Sequence, residues 1–65
     1  MDFSDKEVQL LQGLADGLEY RDIAERIGYT SVPSVKNLCA RICDKLGADN
    51  KTQAVAMGLR RKLIQ

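Results

Sequence analysis

The stretch from Ser31 to Gly47, SVPSVKNLCARICDKLG, constrains this chain more than any other, because it lays an apolar and a hydrogen-bonding stripe on opposite sides of one helix. At about 100° per residue, Val35, Leu38, Cys39, Ile42 and Leu46 share one sector, while Lys36, Asn37, Ala40, Arg41 and Asp44 fill the opposite one. One side anchors and the other is free to read a groove. Ser31 carries N-cap chemistry and Pro33 is tolerated in a first helical turn, so the helix is predicted over about 32–46, with Gly47 stopping it.

Tyr20-Arg21-Asp22-Ile23-Ala24-Glu25-Arg26-Ile27-Gly28 reads as a shorter helix ended by glycine, with Ile23, Ala24 and Ile27 facing a core. A short helix, a tight turn and a longer helix make a helix-turn-helix. Upstream, Ser4 and Glu7 form a capping box that starts a helix near Asp5, with Val8, Leu11, Leu14, Ala15 and Leu18 as its buried stripe and an end at Asp16-Gly17. Downstream, Asn50 and Gln53 give a second capping signal for a fourth helix over about 51–63. The expected fold is all-α, a compact four-helix helix-turn-helix domain filling residues 1–65.

Sixty-five residues make one domain, which buries only about 60% of the surface its unfolded chain exposes. With one Phe, two Tyr and no Trp, the core must come from Leu, Ile, Val, Met and Ala, which suits packed helices. The formal charge of +1 conceals an asymmetry: residues 1–28 carry −4 and residues 29–65 carry +5. Such a split favours turning one face toward a polyanion, although solvated helix faces are the ordinary explanation of charge runs.

Phe3-Ser4-x-x-Glu7-Val8, Leu18-x-x-Arg21-Asp22-Ile23-Ala24, Ser34-Val35-Lys36, Lys45-Leu46-Gly47 and Asn50-Lys51-Thr52-Gln53-Ala54-Val55 occur in the order and near the spacing of one family. Together they make the chain resemble the LuxR/FixJ-type (GerE-like) DNA-binding domain from about Phe3 to Ile64. The resemblance implies sequence-specific binding of double-stranded DNA by a transcription regulator, with the third helix in the major groove and pairing through the fourth. It assigns base reading to Lys36, Asn37 and Ala40 and phosphate contacts to Arg21, Lys51 and Thr52. Ser31 and Ser34, with Thr30, cluster at the third helix's N-terminus, where free amides favour an anion; Tyr20 and Arg41 are further candidates. For Thr30, Tyr20 and Arg41 the ordinary surface role is the favoured one. The chain departs from the family in three places. Its turn is one residue longer before Ser34-Val35-Lys36, a longer polar residue often stands where it has Ala40, and histidine often stands where it has Leu38.

The fourth helix shows two apolar lines, one of Val55, Leu59 and Leu63, the other of Ala54, Met57 and Ile64. One line serves its own core. The second is expected to form a homodimer interface of Ala54, Met57, Gly58, Arg61 and Ile64, the small residues permitting close approach; loose packing in so small a domain is the alternative.

No histidine, no nucleophile near a base and no glycine-rich phosphate loop are present, so an enzyme is not expected, and no cofactor or metal is implied. Cys39 and Cys43 read as reduced thiols at the core's edge, with a redox switch as the alternative. No apolar run approaches the roughly 20 residues that cross a bilayer and no leader opens the chain, so a cytoplasmic protein is expected. It is either a free-standing small regulator or an excised C-terminal domain. The rival to DNA binding is a protein-interaction module, in which the same scaffold binds RNA polymerase or another transcription protein. Low overall charge, Ala40 and the lengthened turn favour that rival.

Overall fold

A computed structural model describes residues 3–29 and 31–65, and these described residues form four helices: α1 Asp5–Ala15, α2 Tyr20–Ile27, α3 Val32–Leu46 and α4 Lys51–Arg60. Three of them start on a side-chain cap. The Glu7 amide donates to Ser4 Oγ at 3.2 Å while the Ser4 amide donates to Glu7 Oε1 at 2.8 Å, closing the expected capping box. Ser31 Oγ accepts from the Ser34 amide and Asn50 Oδ1 from the Gln53 amide. The Gln53 side chain, however, accepts from the amide of Asp49, one residue before the cap. α2 ends at Gly28, whose φ of 79° lies where a side chain is strained, and this left-handed step turns the chain toward α3.

The core is assembled around α1, which packs against each of the other three helices; α3 in turn packs against α2 and α4. Leu10 and Leu11 of α1, Ile23, Ala24 and Ile27 of α2, and Val35, Leu38, Cys39, Ile42 and Leu46 of α3 are all buried in it. The apolar face expected of α3 is therefore the face it buries. On α1 the stripe is centred differently: Leu10 is fully enclosed and Glu7 is buried one turn before it, whereas Val8, Leu14, Ala15 and Leu18 are only partly covered.

The structure divides α4 less cleanly than the two expected lines: Val55 and Leu63 of the one and Met57 of the other are all half-buried against the core, and Arg61 is exposed. Ala54, Gly58 and Ile64, expected on a subunit face, are enclosed by this domain's own core, and Leu59, expected inside, is 45% exposed. The cause is the close approach of α1. A Cβ placed on Gly58 would lie 2.6 Å from Leu11 Cδ2, so only the smallest residues fit the side facing α1. α4 also stops at Arg60 rather than near Leu63. The Leu63 amide donates back to the Gly58 carbonyl at 2.9 Å, Lys62 adopts a φ of 60°, and the chain folds Ile64 over Gly58 into the core. The Gln12 side chain then clasps the backbone of Gln65, donating at 2.8 Å and accepting at 2.9 Å.

Candidate nucleic-acid interface

Because one side of α3 is locked into the core, its other side is presented as a fixed surface. Lys36, Asn37, Ala40 and Arg41 are all exposed there. Their order offers an ammonium, an amide, a methyl and a guanidinium over less than two helical turns. Ser31 and Ser34 lie at the N-terminal end of the same helix, their hydroxyls 2.9 Å apart. That mutual bond uses one of two hydroxyl hydrogens, so the other is left to donate elsewhere. Thr30 lies outside the described residues.

The remaining basic candidates gather beside this face. Lys51 is the first residue of α4 and Thr52 the second, both exposed. Neither α3 nor α4 has an acidic residue in its first turn, whereas α1 has Asp5 and Glu7 and α2 has Asp22. The positive ends of α3 and α4 are thus left without an acidic side chain of their own. Arg21, Lys36 and Lys51 line an open cleft of about 530 Å³ together with Leu14, Leu18 and Val32. Glu19 also lines it and meets Arg21 at 3.7 Å, with both side chains more than three-quarters exposed, a pairing of little strength in water.

Tyr20 stands at the centre of this group. Lys51 Nζ lies 4.9 Å and Lys36 Nζ 5.9 Å from its ring centroid, and its hydroxyl donates to Cys39 Sγ at 3.9 Å. Burial, reinforced by the neighbouring Cys39, pushes the Tyr20 phenol above its ordinary value. Burial, and then Cys39, likewise pushes the Cys43 thiol up, which keeps it protonated and poorly nucleophilic at neutral pH. Among the described residues, no group of three or more His, Cys, Asp and Glu side chains is arranged to hold a metal ion, and no helix is long and apolar enough to cross a membrane.

Two features were not foreseen from the sequence. From the sequence Tyr20 is a candidate phosphate contact alone, and nothing in the spacing of residues 20, 36 and 51 signals that one ring meets two ammonium groups. The second feature, a pin that holds the far end of α3, did leave a signal. Lys45 Nζ donates to Glu7 Oε1 at 2.9 Å and lies 5.4 Å from the Phe3 ring centroid. Burial pushes the Glu7 carboxyl up, but the Ser4 amide and the hydrogen bond and charge of Lys45 outweigh it and hold the group below its ordinary value. Glu7 precedes Leu10 and Leu11 by three and four residues, so helical spacing alone turns it inward and demands a partner.

The sequence matches the family described as bacterial regulatory proteins, luxR family (GerE), over residues 1–58. It is also 38% identical over 63 residues to the "Uncharacterized transcriptional regulatory protein YxjL" of Bacillus subtilis (strain 168), an alignment that takes in 97% of this chain and 28% of that relative. The chain therefore spans less than a third of the length of the curated relative it matches. With its capped four-helix architecture, its helix-turn-helix and a family match across nearly all of its length, the chain belongs to the luxR family of bacterial regulatory proteins and has that family's helix-turn-helix DNA-binding domain.

Proposed function

We propose that this domain binds double-stranded DNA sequence-specifically as part of a transcription regulator, with α3 in the major groove. The observation that carries this reading is the contiguous exposed face of Lys36, Asn37, Ala40 and Arg41 on a helix whose opposite face is buried. A helix of 15 residues is about 22 Å long, and its diameter of about 10–12 Å fits a groove about 12 Å wide. Lysine donates to guanine O6 or N7, asparagine pairs with adenine N6 and N7, and the Ala40 methyl meets a thymine methyl. Arg41, Arg21, Lys51, Thr52 and the Ser31–Ser34 pair contact phosphates and fix the register. The transcriptional role named for the Bacillus relative supports the same reading.

Two copies act on paired half-sites, held together through α4. Since Ala54, Gly58 and Ile64 are enclosed within the domain, the pairing surface is the outward side of α4, where Leu59 is exposed and Val55 and Ala56 are half-buried. If about six phosphates are neutralised per pair, the logarithm of affinity falls with the logarithm of salt with a slope of about −5.

The test is binding of a palindromic duplex, chosen by selection from random sequences, to the wild-type domain and to a Lys36→Ala, Lys51→Ala double variant. Loss of salt-dependent binding in the variant is expected. Unchanged binding would reject the site. No duplex affinity at low salt, with direct binding of purified RNA polymerase, would replace this reading with that of a protein-interaction module.

A further inference from the structure

We propose that Tyr20 is a positioning residue for DNA binding, its ring holding the Lys51 ammonium ready for the phosphate backbone and the Lys36 ammonium beside it at the edge of the base-reading face. This rests on the DNA-binding reading above and names a residue through which it operates.

The argument starts from where the ring sits. Tyr20 opens α2, Lys36 lies on α3 and Lys51 opens α4, so three elements meet at one aromatic ring. The ring is half-buried, and its hydroxyl is turned to Cys39 Sγ on the buried side of α3, which leaves the face and not the polar tip for the lysines.

An aromatic face also holds a cation differently from a carboxylate. Lys45, gripped by Glu7 Oε1 at 2.9 Å, has its charge neutralised by its partner. At Tyr20 the ring quadrupole attracts the ammonium without cancelling its charge, and the donors turned away from the ring stay available. The ring therefore reduces the rotamer freedom that a lysine gives up on meeting a phosphate, while leaving its full charge for that phosphate. At 4.9 Å against 5.9 Å, Lys51 is the more tightly held of the two. Arg21, loosely paired with Glu19, and the apolar Leu14, Leu18 and Val32 complete the cleft beside the ring, whose three cations outnumber its one carboxylate.

The experiment measures affinity for a duplex selected by the wild-type domain, at several salt concentrations, for Tyr20→Leu and Tyr20→Phe, each also in a Lys51→Met background. Tyr20→Leu is expected to weaken binding about three- to fivefold at every salt concentration, and Tyr20→Phe, which keeps the ring, to stay within about twofold. In the Lys51→Met background the Leu substitution is expected to cost less than about twofold, because most of its effect runs through Lys51. A purely structural loss would persist undiminished there and would overturn the proposal. So would wild-type affinity in Tyr20→Leu, or a Tyr20→Phe variant as weak as Tyr20→Leu. A second measurement needs no variant: the ε-methylene protons of Lys51 in the free wild-type domain are expected to show an upfield ring-current shift, and random-coil values would overturn the proposal. If the wild-type domain binds no duplex at low salt, the DNA-binding reading and this one fall together; if only the tyrosine variants behave as wild type, the positioning role alone falls.

Discussion

α3 and α4 are both capped, amphipathic helices packed against α1, yet they divide their residues by opposite rules. α3 buries its large apolar side chains and exposes its polar ones. α4 buries Ala54 and Gly58 and leaves Leu59 45% exposed. The difference lies in what each helix meets on its buried side. α3 is spaced by Val35, Leu38, Ile42 and Leu46, whereas α4 comes so near α1 that Leu11 occupies the place of a side chain at Gly58. Size decides the buried face where a neighbouring side chain lies against the helix backbone; hydrophobicity decides it elsewhere.

The strongest test of that contrast is in the spaced core. Ile42→Ala on α3 removes a fully buried side chain and is expected to cost about 2–5 kcal/mol, measured by urea denaturation. Gly58→Ala on α4 is expected to destabilise as well, because overpacking of about 1–3 kcal/mol against an enclosed Leu11 exceeds the helix propensity of about 1 kcal/mol that it gains. A stabilised Gly58→Ala domain would show that α1 and α4 are less closely packed than described.

The pin at the far end of α3 gives a pH-dependent prediction. Because the folded state holds the Glu7 carboxyl below its ordinary value of 4.5, its contribution is complete above that value and is lost as pH falls through the lower, folded-state value. Glu7→Gln keeps a capping side chain but removes the charge, so it is expected to cost about 1–3 kcal/mol at neutral pH and to flatten the acid limb of the stability profile. An acid limb as steep as wild type would assign that limb to other carboxylates. The smallest effect on stability is expected on the outward side of α4: Leu59→Ser should change it by no more than about 0.5 kcal/mol, yet reduce cooperative binding to paired half-sites. Full cooperativity in that variant would move the pairing surface off α4.

The same contrast accounts for what was legible in the sequence. Four helices, their caps and the two faces of α3 follow from local spacing and capping chemistry, which act within a few residues of each other. The burial of Ala54 and Gly58 on α4 does not, since it is set by a contact between Leu11 and Gly58 that no periodicity encodes, and apolar size alone points to Leu59 instead. The early end of α4 has a similar origin, because Ile64 is drawn back over Gly58 by tertiary packing. At the candidate interface, the exposed positions of α3 were readable as positions on a helix. The gathering of Lys36 and Lys51 at the Tyr20 ring was not, because it joins three elements far apart in the chain.

The central claim, that the exposed face of α3 meets DNA, is tested most directly by following backbone amide resonances while a selected duplex is added to the domain. The account predicts the largest shifts at Ser31, Ser34, Lys36, Asn37, Ala40 and Arg41, with a second group at Lys51 and Thr52, and little change at Gln9, Asp22 and Glu25 on the acidic half. Shifts concentrated on α1 and α2, with those α3 positions undisturbed, would contradict it.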